Sequence, residues 1–329
     1  MMKKVLLMTL IALMVGAFVS GGPVQRADAK PVELKIWCAW IPDTFSAKPF
    51  LHIFMDKVNK KGKAANLSIK LIGGPEVFKH RDGIVPLRSG VIDAAYTAAV
   101  YHASVVPEGR AMMLSQLTPI EEHKSGAYDM MDKFHQKKAG IKFLFRLSMQ
   151  PYFNFYLNVD LDKVDFKGLK MRSTPAYDAI IKRLGGAIVR TSMSEVYTAL
   201  DRGMVHGYGY PVVGLMDHKM EEVTKYVWGP SFYCSPTGVF INLAKWNSLS
   251  QAQRNVLTAV GKEMEVESAD IFRDIVKKER EQITKAGVKI YKLSPEKEKK
   301  LLEITQEAGW AVISKKAPDG MALRPLMSK

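Results

Sequence analysis

The stretch from Asp165 to Pro211 limits the fold of this chain more than any other segment. It opens with Asp165-Phe166-Lys167-Gly168-Leu169-Lys170-Met171-Arg172 and runs on through Thr174-Pro175 and Leu184-Gly185-Gly186-Ala187. It then passes Ser192-x-Ser194-Glu195 and closes with Arg202-Gly203-x-Val205-x-Gly207. Leu169 to Arg172 alternates apolar and polar side chains, the period of a strand with one buried face. Ser173 and Thr174 can cap a following helix, and Pro175 suits its first turn, where a missing N–H does no harm. The pattern predicts a helix over about Ala176 to Leu184, stopped by Gly185-Gly186. Arg172 then projects from the carboxyl end of a strand, the edge at which ligands of open α/β sheets gather. The free N–H groups of the following helix favour an anion at the same spot. A guanidinium there can clamp a carboxylate through two parallel hydrogen bonds, or it can pair with a structural Asp or Glu. Spacing alone leaves both roles open.

The rest of the chain repeats this grammar. Val32 to Cys38 reads as a strand, Ser46 to Lys61 as a helix ending at Gly62, and Leu67 to Ile72 as a second strand broken at Gly73-Gly74-Pro75. A helix near Arg81 to Arg88 and a strand over Val91 to Tyr96 follow. Strands alternating with helices predict an α/β architecture of βαβ units with a largely parallel sheet, and the Asp165–Tyr208 region predicts a second, similar domain. Ser231 to Leu243 is one long β-type run bent by Pro236 and Gly238. From Ser250 to about Ala286, Val256, Val260, Met264, Ile271, Phe272, Ile275 and Val276 recur at helical steps. At about 1.5 Å per residue that helix is roughly 50 Å long, enough to lie across both domains.

With 329 residues, 47% of them hydrophobic, the chain can build two packed cores. Residues 1–29 stand apart from them. Lys3 and Lys4 precede an apolar run from Val5 to Val19, and Ala27-Asp28-Ala29 offers a small-x-small cleavage site, the pattern of a cleaved secretory signal peptide. The mature chain is expected in the periplasm, beginning at Lys30 and not embedded in a membrane. Removing Lys3, Lys4, Arg26 and Asp28 lowers the formal charge from +15 to +13. The basic residues are interspersed with acidic ones and no basic-aromatic motif occurs, so the excess reads as solvated surface and no nucleic acid partner is predicted. Cys38 and Cys234 are expected as two buried free thiols.

The quoted motifs resemble the TRAP-type solute-binding proteins, the DctP-like family of periplasmic receptors for tripartite ATP-independent transporters. The likeness extends to the Gly73-Gly74-Pro75-Glu76 loop, the Ser89-Gly90-Val91-Ile92-Asp93 segment and the long late helix. It implies a two-lobed periplasmic-binding-protein fold, each lobe a mixed sheet flanked by helices, with one helix spanning both. Lobe I would comprise 30–148 and 238–278, and lobe II 149–237 and 279–329. The resemblance also implies that Arg172, ending the G-L-K-x-R strand, salt-bridges a substrate carboxylate. The implied partners are a small organic acid and the membrane subunits of a TRAP transporter. The chain departs from the pattern at His206-Gly207, where many members carry Asp-Gly, and at Gly209-Tyr210, where some place an acidic residue or Asn. Gly209 supplies no carboxylate, so neither a metal-bridged ligand nor a cofactor is predicted. Tyr210 makes the expected pocket more aromatic.

Other candidates have a structural alternative beside each role. Glu76 follows a turn at a strand end and faces the ligand crevice or plain solvent. Arg146 lies among apolar residues in Phe143-Leu144-Phe145-Arg146 and either binds a second acidic group or is paired; Tyr152 competes for that place. Trp40 and Tyr96 sit where aromatics stack on a ligand or pack a core. Trp228 reads as core and Glu195 as the partner of Ser192 in a capping box. The seven histidines lack metal-ligand spacing, and no G-x-S-x-G elbow or complete dinucleotide loop is found, so an enzyme is not predicted. A reporter to a sensor kinase and a periplasmic hydrolase are the alternative functions. Tyr96, Tyr101, Tyr152 and Tyr210 favour a monocarboxylate with an apolar or aromatic body.

Overall fold

A computed structural model describes residues 30–44 and 47–329; the expected signal peptide and Ser46 lie outside the described residues. The chain forms β1 (Val32–Cys38), a π turn (Lys48–His52) leading into α1 (Ile53–Lys61), β2 (Leu67–Leu71), α2 (Ile84–Ser89) and β3 (Ala94–Ala98). A 3-10 segment (Pro107–Leu114), α3 (Pro119–Ser125), α4 (Ala127–Ala139) and β4 (Ile141–Arg146) complete the first half. Then come β5 (Phe153–Leu157), β6 (Lys170–Arg172), α5 (Asp178–Arg183), β7 (Ala187–Val189), α6 (Met193–Asp201) and β8 (Gly207–Pro211). The chain ends through β9 (Tyr226–Phe232), β10 (Thr237–Asn242), α7 (Leu243–Ser248), α8 (Gln251–Lys285), β11 (Lys289–Tyr291), α9 (Pro295–Lys316) and α10 (Leu323–Met327).

The strands make two sheets, in the orders β2-β1-β3-β10-β4 and β11-β9-β5-β8-β6-β7. Both are mixed. β1 runs parallel to β2 and β3, while β10 runs antiparallel to β3 and β4; β5 opposes β8 and β9, and β6 runs with β7 and β8. The βαβ grammar alone predicts too parallel a sheet, because β10 and β5 enter from crossovers that reverse their sense. In the second sheet, Phe155 and Met171 pack with Ile180, Ile181 and Leu301 of α5 and α9. Tyr156 and Tyr208 instead join Val196 and Leu200 of α6. Each face of the sheet is thus sealed by the helix that its alternating side chains demand.

Before α9, three segments join the two halves. Leu147–Tyr152 and Tyr233–Pro236 run side by side, tied by Leu147 N to Thr237 O at 2.8 Å, Ser235 N to Met149 O at 2.9 Å and Tyr152 N to Tyr233 O at 2.9 Å. Tyr233 takes the left-handed conformation (φ 58°), which a ring-bearing residue adopts only when its surroundings demand it. That turn lies just ahead of the bend expected at Pro236 and Gly238 and separates β9 from β10 within the Ser231 to Leu243 run. The third connection is α8, capped at Ser250 by a capping box and 35 residues long. Near its end Glu279 accepts Leu215 N at 2.6 Å and Met216 N at 3.3 Å, while its first half packs on α1 and β4.

Smaller departures have local causes. The strand expected at Val91 begins at Ala94, since Asp93 turns its carboxylate back to accept Lys35 N at 2.8 Å and leaves Val91 in solvent. The helix expected from Arg81 begins at Ile84, because Gly83 passes so close to Trp37 that a Cβ would lie 2.2 Å from its ring. α10, expected with the second lobe, packs on α3 and α4 of the first, and Gln116 N donates to Met327 O at 2.8 Å. Cys38 and Cys234 are both buried and free, and burial pushes their thiols up to about 12 and about 11.

Candidate functional site

The candidate site is built around Arg172, the last residue of β6. Met171 points into the core, so Arg172 falls on the opposite face, in register with Tyr208 of β8. Its neighbours are set by a capping interaction. Ser192 and Glu195 form a capping box at the start of α6, and Glu195 also binds the Thr191 hydroxyl. Thr191 O thereby accepts from Arg172 Nε at 3.2 Å. That is the only hydrogen bond of this side chain among the described residues, and no carboxylate of theirs pairs with it. Yet Arg172 is only 6% exposed. Burial lowers its pKa from the ordinary arginine value, partly offset by the phenols of Tyr177, Tyr210 and Tyr208 and reinforced by Arg190. Arg190 does not share its situation, because it is ion-paired with Asp178. A desolvated cation without a counterion costs free energy that an arriving anion would recover.

Around this cation the two halves of the molecule converge. Tyr210 lies within electrostatic reach of both Arg172 and Tyr101, and Tyr152 within reach of Tyr210 and Tyr101. Burial raises the pKa of all four tyrosines concerned, Tyr101, Tyr152, Tyr177 and Tyr210, so each keeps its proton and can donate a hydrogen bond. The Trp40 ring stands 5.7 Å from that of Tyr101, and a small pocket is lined by Trp40, Met149, Tyr152, Val213, Phe272 and Ile275. Its walls come from the end of β1, the first crossover, the loop after β8 and α8. The arrangement is a cleft between two sheets, aromatic in lining, with the Arg172 guanidinium within electrostatic reach of its tyrosines. A guanidinium without a carboxylate partner can accept an anion; among the described residues no cluster of His, Cys, Asp and Glu would hold a metal ion.

Residues 42–315 match the model of the DctP family, bacterial extracellular solute-binding protein, family 7. The chain belongs to this family. A solute-binding protein of Albidiferax ferrireducens is 23% identical over 330 residues, covering 92% of each chain. A TRAP periplasmic solute-binding protein of Desulfovibrio desulfuricans, solved with bound sn-glycerol-3-phosphate, superposes with a TM-score of 0.75 at 19% identity, over 90% of this chain and 96% of that one. One from Desulfovibrio salexigens, solved with bound orotic acid, gives 0.75 at 20% identity, over 90% and 97%. Proteins of the DctP family are receptors for solutes, not enzymes, and no helix among the described residues is long and apolar enough to cross a membrane.

Within this DctP-family frame the expected site residues separate. Tyr210 lies within electrostatic reach of both Tyr152 and Arg172, and Trp40 and Tyr152 line the pocket. Tyr96 does not reach it: it is 1% exposed and packs under Trp40, with ring centroids 5.6 Å apart. Arg146 is corrected to a structural role. It is fully buried, and its Nε and Nη2 grip Glu122 at 2.9 and 2.7 Å while Nη2 and Nη1 donate to the carbonyls of Leu117 and Leu147. Glu76 stands exposed and turns inward on its own loop, accepting Gly74 N at 2.6 Å; backbone hydrogen bonds lower its pKa. His206 fills the family's Asp position by accepting Lys170 N at 2.9 Å, which pins β6. Gly209 has a packing reason, since a Cβ there would lie 2.5 Å from the Tyr177 ring. Sequence reasoning passed over Tyr177, although it sits in the helix predicted right after Arg172.

Proposed function

We propose that this protein captures a small organic acid between its lobes and delivers it to the membrane subunits of a TRAP transporter in the periplasm. The observation that carries this reading is Arg172: a nearly buried guanidinium, held at Thr191 O, without a carboxylate partner among the described residues. In the proposed cycle a ligand carboxylate takes the two free Nη groups of Arg172, and Tyr152, Tyr177 and Tyr210 offer phenolic donors around it. Trp40 and Tyr101 of the first lobe cover the ligand's body as the lobes close about the Leu147–Tyr152 and Tyr233–Pro236 crossovers. Closure is driven only by the ligand's preference for the closed form. Two solved relatives carry bound anions, a phosphate ester and an aromatic carboxylate, which supports an acidic ligand here without choosing between them. A thermal-shift screen of mono- and dicarboxylates, 2-oxo acids, aromatic acids and matched neutral amides tests the reading. Acids alone should raise the melting temperature, because ligands that bind only the folded state stabilise it. A rise with neutral amides and none with acids would contradict it.

A further inference from the structure

The carbonyl that fixes Arg172 is itself held from two sides. Thr191 O, which accepts from Arg172 Nε at 3.2 Å, lies in the link between β7 and α6. On the α6 side, Glu195 accepts from Ser192 N at 2.9 Å and from the Thr191 and Ser192 hydroxyls, so the link ends in a closed cap. On the β7 side stands Arg190, the residue before Thr191. Its Nη1 donates to Ser173 O at 3.4 Å, and its Nη2 is ion-paired with Asp178 Oδ2 in the first turn of α5. Asp178 Oδ1 accepts from the Ser173 hydroxyl at 2.7 Å, and Ser173 N donates to Val189 O at 3.1 Å. Arg190 and Asp178 therefore tie the residue after Arg172 to the residue before Thr191, through backbone and side chain alike.

Folding stability does not account for this pair. The Arg190 side chain is 55% exposed, and exposed ion pairs contribute little to stability. What the pair does bridge is the end of β6 and the link that carries Thr191. An arginine side chain has several rotatable bonds, and ordering it at the moment of binding weakens affinity. A guanidinium set in place beforehand avoids that loss. We propose that Arg190 and Asp178 are positioning residues: their ion pair locks Thr191 O against Arg172 Nε, so that an arriving acid meets a guanidinium already oriented. This inference rests on Arg172 as the capture residue and assigns part of its affinity to two residues that need not touch the ligand. Charge alone and positioning make opposite demands at Asp178. Removing a carboxylate close to an anion site strengthens anion binding by simple electrostatics, whereas removing half of a lock weakens it.

The first test reads Arg172 directly and needs no ligand. Arginine Nε–H exchange, followed by NMR on the full mature chain, should show a protected signal that Arg172→Lys removes. Asp178→Asn and Arg190→Met should each speed that exchange roughly tenfold. Arg190→Lys, which keeps a cation for Asp178, should restore most of the protection. Melting temperatures of all three should stay within about 3 °C of wild type, as expected for an exposed ion pair. Calorimetry with pyruvate, succinate and orotate is the second arm. Asp178→Asn should bind whichever of these wild type binds roughly three- to tenfold more weakly. Exchange unchanged in both Asp178→Asn and Arg190→Met, or tighter binding by Asp178→Asn, overturns the inference. A much larger fall in melting temperature, in step with the faster exchange, would mark the pair as structural and overturn it as well. Protection lost in both variants of a protein that binds no acid at all would uphold the lock and overturn the capture reading instead.

Discussion

At the residue scale, two buried arginines, one in each sheet, have opposite fates, and partners decide which. Arg146 and Arg172 are both nearly inaccessible, and both end a strand. Arg146 is matched by Glu122 and two carbonyls, so it cements α3 to β4; Arg172 has a single carbonyl. Replacing Arg146 with Met should strand Glu122 and cost about 3–5 kcal/mol of stability. Where the variant folds, ligand affinity should stay within about twofold of wild type, as denaturant melts and calorimetry would show. The distinction was not legible in the sequence. Arg146 among phenylalanines and Arg172 after an alternating strand look equally embedded, and Glu122 is 24 positions from Arg146. Glu195, by contrast, was legible as a cap, because Ser192-x-x-Glu195 is a local pattern that needs no tertiary partner.

At the scale of elements, the late helix was the most readable feature and the crossovers the least. The apolar steps from Val256 to Val276 were a local signal that bounded the helix between Ser250 and about Ala286, and α8 runs from Gln251 to Lys285. What those signals could not say is how the helix holds the second half. It does so through Glu279, whose carboxylate accepts the amides of Leu215 and Met216. Burial raises the Glu279 pKa, against the effect of those amides. Glu279→Ala should leave a buried amide unpaired and cost about 1–3 kcal/mol, measured by urea denaturation, with no change in the ligand's stoichiometry. The break between β9 and β10 was legible as a bend at Pro236 and Gly238, but the turn at Tyr233 was not. Phe232 and Tyr233 are β-prone residues ahead of that bend, and the crossing from one sheet to the other puts Tyr233 in its left-handed turn.

At the scale of the molecule, stability should depend on pH through a buried histidine pair of the first half. His135 Nδ1 lies 2.8 Å from Met131 O, which can only accept, so Nδ1 carries the proton. The neutral ring then accepts at Nε2 from His102 Nε2–H, 3.2 Å away. Burial lowers the His135 pKa to about 4, with the Met131 carbonyl, Asp132 and Glu108 pulling weakly the other way, and holds His102 well below its ordinary value. The unfolded chain takes up protons at these sites below its ordinary pKa of about 6.5, whereas folded His135 resists until about 4. Stability contributed by the neutral pair is therefore full above pH 6.5 and lost as pH falls toward 4, by about 3 kcal/mol for His135 alone. Urea midpoints across that range should fall more steeply for wild type than for a His102→Leu, His135→Leu double variant. Parallel curves would show that the pair does not stay neutral.

The two-lobed plan follows from the same balance of local and distant forces. Alternation, caps and glycines prescribe which segments are strands and helices, while crossovers that reverse a strand's sense decide that the sheets are mixed. The cleft is where those long-range choices leave Arg172 without a carboxylate partner among the described residues. Isothermal titration of wild type and Arg172→Ala with the acid found in the screen tests this most directly. A fall of roughly a hundred- to several-thousandfold in affinity, the equivalent of about 3–5 kcal/mol, is the expected result. Affinity within about twofold of wild type, in a variant whose melting curve shows it folded, would contradict the account.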